Sequence, residues 1–224
     1  MGMRGTSLIL NLPTHLAEAL SGALSQETSE HLVVAIQEDL LDLVATWRRV
    51  GREREVVVLV DHGDDAALHR VARRGLTAER GSGEKGVLRQ RALQALGNHR
   101  VVAVLDRPSP DYALTDVDSL LRRAHEGFAV VADLDGDWMA LGVSSEHRAV
   151  LGGGATLDAL VERSLSLDVA IHALAPRGRI DNETALAALD MRIKTRRARA
   201  SRSRRFLLAP VSYTHLTLPT ILRV

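Results

Sequence analysis

Asp106 is the residue best placed for chemistry. It closes the apolar run Val101-Val102-Ala103-Val104-Leu105, and the following Arg107-Pro108-Ser109-Pro110 stiffens the loop. A carboxylate at the end of a buried strand can hold a divalent cation against a nucleotide phosphate, because hard oxygen ligands suit magnesium or manganese. The competing use is the capping of a turn. Asp133, Asp135 and Asp137 alternate around Gly136. In an extended segment two of them would share a face and an ion, whereas a reverse turn would scatter them, and a hairpin turn is the expected use. Asp181, before Asn182-Glu183-Thr184, stands at a loop-to-helix junction where an acid can ligate a metal or cap the helix.

Two glycine clusters bear on phosphate binding. Gly83-Glu84-Lys85-Gly86 and Gly152-Gly153-Gly154 both lack the Gly-x-x-x-x-Gly-Lys-Ser/Thr signature. Their backbone amides would still meet a phosphate if a helix N-terminus points at it, which makes Gly83, Lys85 and Gly86 the cofactor-binding candidates. Lys85 is the only lysine before the basic C-terminal stretch, and a solvated helix start explains it equally well. The chain has no cysteine, so disulfides, zinc-thiolate sites, iron-sulfur clusters and thiol nucleophiles are excluded. No Gly-x-Ser-x-Gly elbow or His-Glu-x-x-His pair occurs, and the nine histidines are scattered; His62, His69, His99 and His125 read as surface or packing residues.

The elements that must carry these residues alternate in type. Strands are expected at Ser7–Leu12, Val56–Val60 and Val101–Asp106, with a minor one at Leu76–Glu79. Helices are expected from His15 to Val50 with a break near Ser25–Ser29, from Asp64 to Arg73, from Gly83 through Leu96, and from Thr115 to His125. Phe128–Asp133 and Trp138–Val143 lie so close in sequence that they predict an antiparallel excursion. A helix after Gly154, a strand over Leu167–Leu174 and a short helix over Thr184–Met191 complete the pattern. Alternation at this spacing predicts a three-layer α/β/α sandwich with a mostly parallel mixed sheet. Right-handed crossovers would bring Asp61 and Asp106 to one edge, where ligands of such sheets bind.

A net charge of +1 conceals an asymmetry. Residues 192–224 hold nine basic side chains and no acid, which leaves 20 basic against 28 acidic residues in 1–191. The acidic body gives no general attraction to nucleic acid, and the tail would bind it only nonspecifically or remain solvated. No apolar run approaches the roughly 20 residues that span a bilayer, and the start shows no signal-peptide pattern. The expected setting is therefore cytoplasmic, without a membrane partner.

The order of motifs resembles the bacterial glycosyltransferase-like proteins called selenodomain-associated transferases. These are of the GT-A, or nucleotide-diphosphosugar transferase, fold, in a superfamily that also includes the phospholactate guanylyltransferases. The resemblance spans roughly residues 8–190. It rests on Gly83-Glu84-Lys85-Gly86 through Arg91-Ala92-Leu93, Leu105-Asp106-Arg107-Pro108, Asp135-Gly136-Asp137-Trp138-Met139-Ala140-Leu141-Gly142, Gly154-Ala155-Thr156 and Ile180-Asp181-Asn182-Glu183-Thr184. It implies that Asp106 and Asp181 hold a magnesium or manganese ion bridging the phosphates of a nucleotide or nucleotide-sugar. It further implies that Asp135 and Gly136 shape the acceptor or sugar side, and that an acceptor oxygen attacks the activated donor in glycosyl or nucleotidyl transfer.

One departure sets up a second reading. The family follows its first strand with a loop bearing a Lys-Thr-Arg signature, whereas Asn11-Leu12-Pro13-Thr14-His15-Leu16 contains no arginine or lysine. The alternative is a catalytically inactive relative that acts as a binding or interaction protein. The resulting division is a single domain over 1–191, a basic tail over 192–210 and a terminal segment over 211–224. Val211–Thr220 resembles the conceptual translation of a sequencing adapter, so 211–224 is expected to be non-native.

Overall fold

The computed structural model of the chain describes residues 4–13, 16–20, 24–133, 136–176, 183–194 and 201–208. Asp135, Asp181 and residues 209–224 lie outside the described residues.

Seven strands form one sheet: β1 (Arg4–Asn11), β2 (Arg54–Val60), β3 (Thr77–Arg80), β4 (His99–Asp106), β5 (Phe128–Ala132), β6 (Trp138–Ser144) and β7 (Ile171–Leu174). Their order is β3-β2-β1-β4-β6-β5-β7. All run parallel except β6, which is antiparallel to both β4 and β5. The continuous Val, Leu and Ala content of β1, β2 and β4 follows from this arrangement, because strands covered on both faces alternate between two cores and never face water. Leu8, Leu10, Val56, Val58, Val101, Ala103 and Leu105 point to one core, and Ile9, Leu59, Val102 and Val104 to the other.

The first face is covered by α1 (Leu16–Leu20), α2 (Gln26–Val50), α3 (Asp65–Ala72) and α5 (Leu114–Glu126), which contribute residues such as Leu32, Ile36, Leu40, Val71 and Leu120. The second is covered by α4 (Lys85–Ala95) and α6 (Leu157–Ser166), through Leu88, Ala92 and Leu160, with a 3-10 turn at Arg148–Gly152 between β6 and α6. This is the expected three-layer sandwich. The predicted break near Ser25–Ser29 is the start of α2, where the Ser25 side chain accepts from Thr28 N. Asp64 caps α3 in the same way, accepting from Ala67 N at 2.8 Å.

Several boundaries differ from the sequence expectation, most of all toward the end of the chain. The last strand begins at Ile171 rather than Leu167, because Leu167 closes α6 and Asp168 turns the chain with φ at 54°. The helix expected to stop at Met191 continues as α7 (Glu183–Lys194), and a further helix, α8 (Ser201–Leu208), follows.

Within the basic stretch, 192–194 and 201–208 are described, and Arg192 and α8 engage the body of the chain. Arg192 reaches the loop after β4, where Nε donates to the buried Asp111 at 2.7 Å and a terminal nitrogen donates to Ser109 Oγ at 3.2 Å. The buried Asp39 carboxylate of α2 caps α8. It accepts from Arg202 N at 3.0 Å, Ser203 N at 2.8 Å and Ser203 Oγ at 2.8 Å. The local signal was split between distant residues, since the cap donor sits on α8 and the acceptor on α2.

Around this joint Arg74 bridges Glu38 and Asp42, and Arg202 pairs with Asp42 as well. Partial burial pulls the Asp42 carboxyl upward, but the hydrogen bonds and charges of Arg74 and Arg202 outweigh it and hold it below its ordinary value of 3.8. A depressed carboxyl stabilises the fold above its unfolded value and loses that contribution as pH falls through the folded value. Stability measured by urea unfolding is expected to fall between about pH 5 and pH 3, with Asp42→Asn flattening that decline. Asp39→Ala should lower stability at neutral pH by about 1–3 kcal/mol, from a lost cap and stranded donors.

Candidate functional site

In the order β3-β2-β1-β4 the strand order reverses between β1 and β4, and the crevice beyond their carboxyl ends is where α/β sheets bind ligands. Asn11 and Asp106 are register partners at that end and project to the α4 side. Asn11 Nδ2 donates to Asp106 Oδ1 at 2.7 Å, and Arg107 Nε lies 3.4 Å from the same oxygen. Asp106 is fully buried and Asn11 is 3% exposed. The same amide nitrogen lies 3.4 Å from the Gly83 carbonyl, so the residues preceding α4 close over the pair.

Gly83 is small for a steric reason. A Cβ there would stand 2.4 Å from Asn11 Nδ2, whereas a Cβ on Gly86 would meet open space. Of the two glycines singled out from the sequence, only Gly83 is required by close approach. Because β3 is parallel to β1, α4 starts at this same edge, and its first-turn amides point toward the crevice.

Lys85, at the first position of α4, is already engaged. Its ammonium donates to the Trp138 carbonyl at 2.7 Å, pairs with Asp137 and lies 4.5 Å from the centre of the Trp138 ring. The Trp138 indole in turn donates to the Ala155 carbonyl at 2.6 Å, which ties the loop after the triple glycine to the same cluster. Asp133 and Asp137 build the hairpin turn between β5 and β6. Asp137 N donates to Asp133 Oδ1 at 2.8 Å, Asp133 N donates to the Asp137 carbonyl at 2.7 Å, and Gly136 takes φ at 86°. The turn reading of this acidic alternation therefore describes Asp133 and Asp137; Asp135 is not described.

Asp61 follows β2 on the far side of β1 from Asp106, at the same sheet edge. Asn11 fills the register position between the two strand ends. Its importance was concealed because it appeared only as an uncharged residue where a cation was expected. The available signal was a polar side chain ending the apolar run Leu8-Ile9-Leu10, aligned with Asp106.

Comparison with solved structures decides the architecture. A protein provisionally assigned as a nucleotide-diphospho-sugar transferase from Desulfovibrio desulfuricans G20 superposes with a TM-score of 0.70 at 13% identity, covering 91% of this chain and 95% of that one. The fold is GT-A-like. The 4-diphosphocytidyl-2C-methyl-D-erythritol synthase of Anaerococcus prevotii DSM 20548 gives 0.60 at 12% identity, covering 85% of this chain and 96% of its own. The manganese complex of Rv0371c from Mycobacterium tuberculosis H37Rv gives 0.52 at 12% identity, covering 84% and 98%. No family profile and no curated protein matches the sequence. Identities this low show the GT-A fold alone.

Among the described residues a divalent cation would find one oxygen of Asp106, Oδ1, already engaged. An amide N–H and a guanidinium already approach Asp106 Oδ1, in the role a metal would take, and the carboxylate has no exposed surface. Among the described residues no group of three acidic or histidine side chains is arranged to hold a metal. Asp181 lies outside them.

Asn11→Ala is expected to cost about 1.5–3 kcal/mol in urea unfolding, since it removes a hydrogen bond to a buried charged group. Gly83→Ala should be clearly destabilising, while Gly86→Ala should be neutral or stabilising by up to about 1 kcal/mol, from helix propensity alone.

Proposed function

We propose that this GT-A-fold chain is a binding protein that takes a nucleotide or nucleotide-sugar at the β1/β4 edge without transferring it. The observation that carries this reading is the double commitment at that edge. Asp106 is buried against Asn11, and Lys85 is held by Asp137 and the Trp138 carbonyl. A transferase needs a carboxylate and a cation that strengthen their interactions as charge develops on the leaving phosphate. Groups already engaged by internal partners must break those contacts first. What remains available is the amide-bearing start of α4, which suits a phosphate without requiring a metal.

A second reading is favoured by the position of Asp106 at the sheet's switch point and by the fold shared with nucleotide-using transferases. In it Asp106 and Asp181 hold magnesium or manganese, and Asp135 serves the acceptor side.

Calorimetric titration of the full chain with nucleoside triphosphates and sugar nucleotides, with and without manganese, separates the two. The binding reading expects affinity that manganese leaves unchanged, no release of pyrophosphate or nucleoside diphosphate, and retained binding in folded Asp106→Asn. Asp137→Asn, which releases Lys85, should tighten triphosphate binding about three- to tenfold. Manganese-dependent binding that disappears in Asp106→Ala would establish the transferase reading instead. A folded sample that binds none of the panel would eliminate both nucleotide readings in favour of a protein partner.

A further inference from the structure

Arg107 stands apart from the rest of the loop between β4 and α5. Its backbone takes φ at 46°, the left-handed region that an arginine rarely adopts, and the residue before a proline ordinarily stays extended. Its neighbours hold it there. The Arg107 amide donates to the Asn11 carbonyl at 3.1 Å, and residues 108–112 that follow are all buried. Arg192 fastens this buried stretch, donating to Asp111 at 2.7 Å and to Ser109 at 3.2 Å. A backbone conformation of this kind persists only where the surroundings dictate it, and such positions concentrate at ligand clamps.

The result is a side chain displayed on a fixed loop. Arg107 is 48% exposed, while Asp106 beside it has no exposed surface. Its Nε lies 3.4 Å from Asp106 Oδ1, the oxygen that also accepts from Asn11, and no described residue engages its two terminal nitrogens. Other described cations near this edge are committed: Lys85 to Asp137, Arg80 to Asp65 and Arg192 to Asp111. Glu84 stands at the N-cap of α4 and Asp61 follows β2, so an anion approaching here needs a cation of its own. The Gly83 carbonyl lies 3.4 Å from the same Asn11 amide nitrogen, so Arg107 and the start of α4 flank one hydrogen-bonded pair.

We propose that Arg107 is the phosphate-contacting cation of the β1/β4 edge, and that Asp106 serves to orient it. This role rests on the nucleotide-binding reading of the same edge and names the group that meets the ligand's charge. A guanidinium is a planar fork. With Nε turned to the Asp106 carboxylate, the two terminal nitrogens can donate in parallel to two phosphate oxygens. The arginine then supplies the positive charge that a divalent ion would otherwise bring, and Asp106 steers a side chain instead of ligating a metal.

The test is calorimetric titration of the full chain in EDTA with ATP, GTP, CTP and UTP, with inorganic pyrophosphate, and with the four nucleosides. The wild-type chain should bind pyrophosphate and at least one triphosphate, more weakly as salt rises. Arg107→Gln should weaken both at least tenfold while leaving any nucleoside affinity unchanged. Arg107→Lys, which keeps the charge but loses the fork, should fall between them. Arg107→Gly separates binding from folding. Glycine adopts a positive φ without steric cost, so its thermal midpoint should equal or exceed that of the wild type while its phosphate binding is as weak as that of Arg107→Gln. An arginine needed only for loop geometry would be replaced by glycine without loss of binding, and that result would overturn the proposal. Triphosphate affinity unchanged in folded Arg107→Gln, or binding that appears only when manganese replaces EDTA, would overturn it while leaving nucleotide binding in place. A wild-type chain that binds none of the panel, with or without manganese, would remove the nucleotide-binding reading and this role together.

Discussion

The hydrogen bond from Asn11 to Asp106 is the constraint around which the carboxyl edge of the sheet is arranged. It joins the carboxyl ends of the two central parallel strands, and it does so with a buried charge. A buried carboxylate is tolerated only when its oxygens are supplied with donors. Supplying Oδ1 with its donor fixes the Asn11 rotamer, which in turn excludes any side chain at residue 83 and sets how closely the start of α4 approaches the sheet. The position of the α4 amides is thus a downstream result of one side-chain contact. The Lys85–Asp137–Trp138 cluster then joins the same helix start to the β5–β6 turn.

Charge is handled locally rather than globally. The acidic body and basic C-terminal stretch, which nearly cancel in the total, meet at defined places: Arg192 on Asp111, and Arg202 on Asp42. The carboxylate of Asp39 does more than neutralise, because it accepts from the leading backbone amides of α8 as well as from a serine hydroxyl. Two of the nine basic side chains of that stretch are thereby committed within the chain.

Much of the architecture was legible from hydropathy alone. Apolar runs ending in Asp61 and Asp106, and helical spacing between them, are imposed by a sheet buried on both faces, so β2, β4 and the sandwich follow directly. The antiparallel β6 was visible because too few residues separate it from β5 for a crossover. What escaped were pairings between residues far apart in sequence. Asn11 with Gly83, Asp39 with Ser203 and Arg192 with Asp111 leave no periodic trace. Each rests on a few polar atoms, and propensity arguments assign such residues to caps, turns or solvent. The same holds for His99, whose scatter among the histidines hid its contact with Glu55.

The capping of α8 by Asp39 has a consequence for how the chain is made. The two partners are 164 residues apart, so at about 5–20 residues per second a ribosome needs roughly 8 to 33 seconds to deliver α8 after α2 has been synthesised. Throughout that interval the outer flank of α2 presents an acidic patch with no cover, beside the apolar positions that later receive Leu207. The final layer of the sandwich therefore closes late in synthesis. Long-range closures of this kind slow folding and prolong exposure of apolar surface. A nascent chain halted before Ser201 would carry all seven described strands under an unfinished helical face.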